Sequence, residues 1–525
     1  MFEATVPHTT HGRGRASDRD PRLALVVAVL GSSMAFLDGT VVNVALPVMQ
    51  RSLGATVGQM QWIVEAYALL LASLVLVGGA LGDRLGRRGV FSAGVVLFAL
   101  ASAACGAAPG IEWLIAARAV QGVGAALLVP GSLALISAAY PEKARGAAIG
   151  TWSAASAITA AVGPVAGGWV VAHASWRWLF FFNLPLAALV VAIAVRGVDE
   201  TRDPDAPAHL DLAGAALATA GLGLVVYALV NAGPTGGLAA RSIAVLLLGG
   251  LTLLVFVAVE ARRTSPMLPL GLFRSRTFAG ANLLTLLLYA ALGAALFFVP
   301  FNLIQVQHYT PTAAGASLLP LILLISTMSR WAGALAARIG PRPLLFVGPL
   351  TAGVGFALLA LPATGGAYWT TFFPGIVVLG IGMGLTVAPL TAAVMGAVDP
   401  RHVGIASGIN NAVSRTAGLL AIAALGLLLL HRFNVVLDSA LAPLSLSRSV
   451  ASAVDAQRSR LGGADFSALA PALRAPLHAA FDAAYVAGFR TLMLASAALA
   501  TLASIAGLAL VAPGRPRADG VVTRP

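Results

Sequence analysis

The chain has 525 residues, of which 58% are hydrophobic and only 10% are charged, and its mean hydropathy is +0.89. Soluble domains carry about 25% charged residues, so this composition excludes a soluble globular protein and indicates an integral membrane protein. The net charge of +13 lies mostly in the polar breaks on one side of the apolar segments, which is typical of membrane topology and argues against a nucleic-acid partner.

Apolar segments of spanning length follow one another along the whole chain and predict fourteen transmembrane helices. The first follows a polar, arginine-bearing stretch without a small-residue cleavage site, so we interpret it as a retained helix and not as a signal peptide. The segments are 23–48, 59–81, 89–108, 112–138, 146–171, 178–197, 210–232, 242–260, 278–305, 313–333, 343–362, 370–396, 404–430 and 484–511.

The distribution of arginine predicts the orientation of these spans. The short loops on one side carry only Arg51, Arg177 and Arg241, whereas the two tails and the loops on their side carry most of the remaining basic residues. Because basic residues accumulate in cytoplasmic loops, both tails are expected in the cytoplasm. The long loop 431–483 lies on the opposite side, and its mixed charge and alanine-rich stretches predict either a cap with helical turns or a flexible segment.

Two carboxylates lie deep inside apolar segments. Asp38 is 16 residues from Arg22 and Glu65 is 17 residues from Gly82, so both are about 25 Å from the predicted cytoplasmic face and can meet at one depth. Arg118 of the fourth span and Glu65 of the second span lie at the same depth below the outer ends of their helices. Ionised side chains at such depths are costly and usually functional.

These three side chains predict a site that exchanges protons. Burial and mutual repulsion oppose ionisation of two neighbouring acids, while a nearby guanidinium favours it. Our hypothesis makes Asp38 the primary proton carrier, Glu65 a second carrier or a cation-recognition site, and Arg118 the gate that favours proton release. The alternative is a static charge cluster whose members are permanently satisfied.

The second half of the chain offers no comparable deep acid, but it places Arg415 well inside the thirteenth span. This arginine either orients a cavity and contacts a substrate or reaches the surface as a snorkelling side chain. A cavity for amphipathic molecules is expected to use aromatic, methionine and polar side chains, each of which also has a plain packing role as its alternative. The candidates are Met34, Phe36, Asn43, Tyr67, Asn302, Gln305, Asn410, Asn411 and Arg415.

The sequence contains no phosphate-binding loop, nucleophile triad or metal-ligand spacing. We therefore expect that the protein is not an enzyme and needs no cofactor or metal. The expected source of energy is an ion gradient, most simply of protons.

The break after the second span holds a glycine turn, one acid and three arginines, which suits a reversible ion-pair latch between helix ends; a plain orientation signal is the alternative. Its residues are Gly79, Asp83, Arg84, Gly86, Arg87 and Arg88. Their order closely resembles the cytoplasmic signature of the major facilitator superfamily.

Further stretches resemble the fourteen-span drug:proton antiporters of that superfamily. They begin with the segments around Asp38 and Arg118 and continue with the antiporter motif of the fifth helix, which here is Gly163, Pro164, Gly167 and Gly168. Three positions depart from the usual pattern. Thr159 stands where the fifth-helix motif usually opens with another glycine, Glu65 replaces a small uncharged residue, and His308 replaces a glycine.

The resemblance implies an all-α membrane protein with the major facilitator fold. Two six-helix bundles, 23–197 and 278–512, surround a central cavity, and residues 198–277 form a linker with two inserted helices. Residues 1–22 and 513–525 are then cytoplasmic tails, and the second bundle includes the outer loop 431–483.

The implied function is export of hydrophobic or amphipathic small molecules such as drugs, dyes and antibiotics, in exchange for protons and by alternating access. A dedicated metabolite carrier or symporter of the same fold is the main alternative, and a non-transporting membrane sensor is a further one. The expected location is the inner membrane of a bacterium. The expected partners are the lipid bilayer and lipophilic substrates, and whether loop 431–483 binds a periplasmic partner stays open.

Overall fold

The computed structural model describes residues 20–203, 210–232, 239–263, 266–399 and 402–513. In these ranges the chain is almost entirely helical. The helices are α1 (Pro21–Leu53), α2 (Val57–Leu85), α3 (Arg87–Gly106), α4 (Ile111–Ala139), α5 (Glu142–His173), α6 (Trp178–Phe181), α7 (Asn183–Gly197), α8 (Leu212–Val230), α9 (Ala240–Arg262), α10 (Arg276–Phe301), α11 (Pro311–Ser317), α12 (Leu319–Ile339), α13 (Pro341–Leu359), α14 (Tyr368–Gly396), α15 (Val403–Leu441), α16 (Arg448–Gln457) and α17 (Pro471–Leu510).

Fourteen helical segments in the described ranges are long and apolar enough to cross a membrane, which confirms the predicted number of spans. The short helix α6 continues into α7, and α11 continues into α12, so each of these pairs forms one span. Polar side chains set the helix starts: Asp20 caps α1, and Thr56 with Gln59 forms a capping box on α2.

The helices pack as two bundles of six spans with two helices inserted between them, as the resemblance implies. In the first bundle, α4 packs along α2 and α3 while α1 packs along α5. In the second, α14 packs along α12 and α13 while α17 packs along α10 and α13. The inserted helices α8 and α9 pack on each other, and α8 also contacts α2 and α15, which belong to different bundles.

Glycines permit the close approach of helices within the first bundle. A Cβ atom on Gly124 of α4 would lie 2.6 Å from the backbone nitrogen of Phe98 on α3, a distance that side chains do not tolerate. Gly94 on α3 faces the same contact. Small residues therefore permit close van der Waals packing, which holds helices together in a bilayer, where no hydrophobic effect acts between them.

The loop 431–483 is more helical than the sequence suggests. Helix α15 continues through the predicted boundary to Leu441, and α17 already begins at Pro471. Between them lie α16 and two short 3₁₀ segments, Ala442–Leu444 and Arg458–Gly463. Of the two alternatives, the structure shows a cap with helical turns. Alanine-rich sequence explains the early start of α17, because alanine has the highest helix propensity although its hydropathy is modest.

The two bundles meet tightly on the side that carries this cap, which we call the loop side. The carbonyl oxygen of Pro164 on α5 lies where a Cβ of Gly315 on α11 would be, and the carbonyl oxygen of Pro311 lies against Gly168 in the same way. We call this contact of α5 and α11 the outer seam. Beside it, the Gln61 amide of α2 donates a hydrogen bond of 2.8 Å to the Ile422 carbonyl of α15.

The segment Arg458–Gly463 fastens the same closure. The Gln50 amide donates to the Arg460 carbonyl (3.2 Å), and the Arg460 guanidinium donates to the Gly54 carbonyl (3.2 Å). Gln305 of the second bundle donates to Gln50 Oε1 at 2.7 Å. Within the described ranges, the hydrogen bonds that join the two bundles lie at this end, so the structure shows a state that is closed on the loop side.

The exact residue boundaries of the domains stay a prediction. Most of the two predicted tails, residues 1–19 and 514–525, lies outside the described residues, as do residues 204–209 of the predicted linker.

Substituting Gly168 should weaken the outer seam. In Gly168→Leu, the added side chain collides with the Pro311 carbonyl, and overpacking of this kind costs about 1–3 kcal/mol, which is roughly a fivefold or larger shift in the population of the closed state. The measurement is the rate at which a membrane-impermeant maleimide, added on the loop side, labels Ala314→Cys in a Cys105→Ala background.

The matched control is Gly150→Leu, on the same helix, where a Cβ meets no atom within 4 Å. Labelling should accelerate in Gly168→Leu and stay unchanged in the control. Equal rates in all three proteins would show that the seam does not hold this side closed.

Candidate functional site

Asp38 and Arg118 form an ion pair in the interior of the first bundle. The Arg118 Nη1 donates a short hydrogen bond to Asp38 Oδ2, and both side chains are at most 2% exposed. Gln121 closes the cluster, because its amide nitrogen donates to Asp38 Oδ1 (3.0 Å) while its oxygen accepts from Arg118 Nη1 (2.7 Å). Each oxygen of the buried carboxylate therefore has a partner, as a buried charge requires.

Arg118 makes two further contacts that fix its position. Its Nε donates to the backbone carbonyl of Ile63 at 3.1 Å, and its guanidinium carbon lies 4.3 Å from the centroid of the Tyr67 ring. Ile63 and Tyr67 are four residues apart on α2 and thus share one helix face. The guanidinium is held between the acid of α1 and the aromatic ring of α2, and a cation over such a ring is attracted to it.

Gln121 is a member of this cluster that the sequence interpretation did not single out as a site residue. Its spacing carries a signal, since it lies three residues after Arg118 and so on the same face of α4. Its oxygen also lies 3.6 Å from Cys105 Sγ. The single cysteine of the chain is thus a buried neighbour of the cluster.

Glu65 does not join the cluster, and the predicted meeting of the two acids is wrong. The side chain is fully buried and neither carboxyl oxygen has a hydrogen-bond partner in the structure. The reason is angular: at 100° per residue, Glu65 is rotated by about 200° from both Ile63 and Tyr67, the residues that contact Arg118. Equal depth along α2 did not imply the same face.

The face of α2 that carries Glu65 turns towards α15. Gln61, one turn before Glu65, donates to the Ile422 carbonyl of α15, and Ala68, one turn after it, lines a cavity with residues of that helix. Glu65 therefore lies at the interface of the two bundles. A buried carboxyl without a partner is far less costly in its protonated form.

A cavity of about 240 Å³ lies between α2, α10 and α15, and thus between the bundles. Tyr67 and Arg415 line it from opposite bundles, together with Tyr289 and Ser414. Arg415 is held by its own helix, because its Nε donates to Asn411 Oδ1 at 3.1 Å. We call this space the central cavity. Of the nine predicted cavity residues, the structure places Tyr67 and Arg415 in its wall.

Three predicted cavity residues of α1 lie elsewhere. Met34 is fully buried in the core of the first bundle, and the ring of Phe36 packs edge-on against Trp152 at 6.3 Å. Asn43 donates weakly to the Gly39 carbonyl at 3.4 Å and leaves its buried Oδ1 without a partner. Methionine and aromatic side chains here serve packing, which was the alternative for each of them.

The candidates of the second bundle are mostly structural. Gln305 belongs to the closure on the loop side through Gln50, and Asn302 accepts from the Gln307 amide at 3.2 Å in the short π-helix 302–306. Asn410 donates to Asn282 (3.2 Å) and Thr285 (2.7 Å), and so joins α15 to α10. These polar side chains satisfy one another at helix contacts, and their role towards a substrate stays a prediction.

The fifth-helix motif touches both the helix of Asp38 and the outer seam. Gly163 packs against Thr40, and Gly167 packs against Val41, where a Cβ would lie 2.7 Å from the valine side chain. Gly168 faces the second bundle. At the departure from the family pattern, Thr159 exchanges a hydrogen bond of 3.0 Å with Ser33 of α1, so it too serves the contact of α1 and α5.

The predicted latch contains an ion pair, but Asp83 pairs with an arginine of the same motif. Asp83 accepts from Arg87 at 2.8 Å, while Arg88 donates to the Val198 carbonyl at 3.1 Å. Gly86 has a φ of +127°, which other residues rarely adopt and which permits the turn from α2 to α3. Gly79 packs against Pro130, and Arg84 is exposed.

Glu200 is a second residue whose role the sequence interpretation missed. Its two carboxyl oxygens accept from the backbone nitrogens of Arg88 and Gly89, each at 3.0 Å, at the start of α3. A carboxylate at a helix N-terminus satisfies orphan donors and suits the helix dipole. The signal was hidden, because this cap lies more than 100 residues along the chain from the helix that it caps.

The two buried acids should respond oppositely to neutralisation. Asp38→Asn leaves the Arg118 guanidinium without its counter-charge, and breaking a buried pair costs about 3–5 kcal/mol. Glu65→Gln removes no ion pair and should leave the thermal unfolding temperature equal or higher. The measurement is thermal unfolding of the purified protein in detergent, followed by tryptophan fluorescence.

Asp455→Asn serves as the control, since the Asp455 side chain is 61% exposed and Arg458 keeps its second acid, Asp438. A normal unfolding temperature for Asp38→Asn, or a large loss for Glu65→Gln, would contradict these assignments.

Curated relatives of the chain are drug-resistance proteins. It is 37% identical to the puromycin resistance protein pur8 of Streptomyces alboniger, over 77% of this chain and 82% of that protein. It is 34% identical to the multidrug resistance protein Stp of Mycobacterium tuberculosis, over 80% and 78%. It is 32% identical to the tetracenomycin C resistance and export protein of Streptomyces glaucescens, over 84% and 82%.

Solved structures agree on the fold. A bacterial homologue of the human lysosomal transporter Spinster aligns with a TM-score of 0.64 at 17% identity, over 92% of this chain and 95% of that one. The xylose transporter XylE of E. coli aligns with a TM-score of 0.57 at 13% identity, over 95% and 98%. The family model described as Major Facilitator Superfamily matches residues 28–422. The chain belongs to the Major Facilitator Superfamily, and it is a multi-pass membrane transporter and not an enzyme.

Proposed function

We propose that this transporter exports hydrophobic or amphipathic small molecules in exchange for protons. The relatives named above resist or export antibiotics, and they match most of the chain, which supports drug-like molecules as substrates. The basic loops described above support an orientation with both termini in the cytoplasm, and a bacterial inner membrane is the proposed location. The loop side is then the outer side, and the structure corresponds to an inward-facing state.

One observation carries the coupling: Arg118 contacts Asp38 on one side and the ring of Tyr67 on the other, and Tyr67 lines the central cavity. Neutralising Asp38 by a proton changes the net charge of the cluster from zero to positive and removes the strongest partner of Arg118. The guanidinium then keeps its hydrogen bond to Gln121 and its contact with the Tyr67 ring. Protonation of Asp38 is thereby transmitted to the wall of the substrate cavity.

The state that is seen is compatible with this exchange. The ion pair of Asp38 and Arg118 requires an ionised carboxyl, and it occurs in the state that is closed to the outer side. In the proposed cycle this state has released its proton to the cytoplasm and accepts a substrate from the same side. Opening of the outer seam then exposes Asp38 to outside protons, and the proton gradient supplies the energy without a cofactor.

Glu65 supplies a second acid on the other face of α2. Because it lies at the interface of α2 and α15, its surroundings change whenever the bundles rock against each other. It acts either as a second proton carrier or as the recognition site for cationic substrates. The Glu65 carboxyl has no hydrogen-bond partner in this state, so a cation that reaches it would not have to displace another group.

Purified protein in liposomes with an imposed pH gradient tests the exchange. We expect wild-type protein to move lipophilic compounds against the direction of proton flow, and Asp38→Asn to reduce this movement to the level of empty liposomes. If Glu65 recognises substrate charge, Glu65→Gln should lose transport of cationic compounds such as ethidium alone. If Glu65 carries protons, the variant should lose transport of all compounds. Asp455→Asn should transport normally, because its side chain lies in the exposed cap.

Gradient-driven transport by Asp38→Asn at the wild-type rate would overturn the proposal. Movement of one narrow metabolite, or movement in the same direction as protons, would favour the dedicated carrier or symporter instead.

Tyr67 is expected to couple the proton site to the cavity. Tyr67→Leu removes the ring that contacts Arg118, an interaction of about 0.5–2 kcal/mol, and should raise the number of protons moved per substrate molecule. Tyr289→Leu changes the same cavity from α10, and should lower substrate affinity while keeping the ratio. The ratio is measured with a pH-sensitive dye and labelled substrate in the same liposomes. An unchanged ratio in Tyr67→Leu would assign the coupling to another route.

A further inference from the structure

A second cavity, of about 490 Å³, lies where the inserted helices meet both bundles. Its wall includes Ala72 of α2, Leu222 of α8, Phe256 of α9, Leu283 of α10 and Val413 of α15. Drug-sized ligands occupy pockets of about 300–1,000 Å³, so this volume is sufficient for one. We call this space the lateral cavity.

The lateral cavity opens sideways, towards the region that lipid occupies. Three of its apolar wall residues are substantially exposed: Val257 (42%), Leu283 (40%) and Leu286 (36%). They belong to α9 and α10, and α9 packs along α8 instead of along α10. The gap between these two helices is therefore the mouth of the cavity.

All five helices bring their wall residues to one depth. Counted from the helix ends on the side opposite the loop side, these residues lie about 5–20 Å into the helices. The cavity is thus within the half of the bilayer that the proposed orientation makes cytoplasmic. A lipophilic molecule that partitions into this leaflet meets the mouth directly.

The lining is apolar but not featureless. Ser73 of α2 is 5% exposed, and its hydroxyl has no hydrogen-bond partner in the structure. An unpartnered buried hydroxyl costs about 1–3 kcal/mol, which a ligand with one hydrogen-bonding group would recover. No charged side chain lines the cavity among the described residues, so a charged group has no counter-charge there.

Only one layer of helix separates this space from the central cavity. Successive residues of α15 divide between them: Val413 and Thr416 line the lateral cavity, whereas Ser414 and Arg415 line the central one. On α2, Ala68 faces the central cavity and Ala72, one turn away, faces the lateral cavity. A small movement between α2 and α15 would join the two spaces.

We propose that the lateral cavity is a second ligand site that takes one uncharged, drug-sized apolar molecule from the cytoplasmic leaflet. The inserted pair α8 and α9 forms its outer wall, which gives these helices a role in binding. The inference deepens the proposed export function and rests on it, since it names the place where an apolar substrate leaves the bilayer.

Photolabelling tests the site without any transport. The probe is 3-trifluoromethyl-3-(m-iodophenyl)diazirine, an uncharged apolar photolabel, added to the full-length protein in liposomes without a pH gradient, with labelled residues mapped by mass spectrometry. Label on Leu222 and Phe256 should saturate as probe is added. Label on Leu247 and Leu254, which are 68% and 69% exposed on the lipid face of α9, should rise in proportion to the probe.

A matched pair of variants separates binding from partition into lipid. Val257→Trp fills the mouth at an already exposed position and should remove the saturable component, whereas Leu254→Trp, on the same helix and facing lipid, should keep it. The labelling uses no pH gradient, so a failure of binding and a failure of proton coupling are separate results.

Proportional labelling of Leu222 and Phe256 would overturn the proposal. So would loss of the saturable label when one or two molecules of dioleoylphosphatidylcholine per protein are added in detergent, because an acyl chain would then be the occupant.

Discussion

The buried pair of Asp38 and Arg118 is the interaction on which the rest of the site depends. Three helices meet there, because the acid comes from α1, the guanidinium from α4, and the carbonyl and ring that complete its contacts from α2. Leaving either charge unpaired in a low-dielectric interior costs a large amount of free energy. In the proposed exchange, a proton on the acid allows the pair to separate, and this step ties a structural contact to an ion gradient.

The fifth-helix motif links that pair to the closure of the bundles. Gly163 and Gly167 contact α1 just after Asp38, while Gly168, one residue further on, contacts α11 of the opposite bundle. With no side chain to compress, each contact transmits backbone position directly. A displacement of α1 at the acid would therefore move α5 against the outer seam. In the proposed exchange this is the shortest route from proton to gate, and it runs through backbone instead of through a chain of ionisable groups.

Hydropathy and motif order predicted the number of spans, the two bundles and the inserted pair, because each depends on residues close together in sequence. The pairing of Arg118 with Asp38 could be predicted from depth, because both residues lie deep inside apolar segments. Glu65 was misplaced because depth along a helix says nothing about rotation around it, and neighbouring helices decide which face is inside. Glu200 and the cap segment at Arg460 act on residues more than 100 positions away, and no local pattern marks such contacts.

The separation of the two acids also bears on how protons are counted. Had Asp38 and Glu65 shared one site, their titrations would be coupled, because ionisation of one acid would oppose ionisation of the other. Asp38 of α1 and Glu65 of α2 have different surroundings. Asp38 contacts Arg118 inside the first bundle, whereas Glu65 lies on the face of α2 that turns towards α15. In the proposed exchange the two acids are protonated in separate steps, so an uncharged substrate would need only the first acid, and a cation would have the second one available.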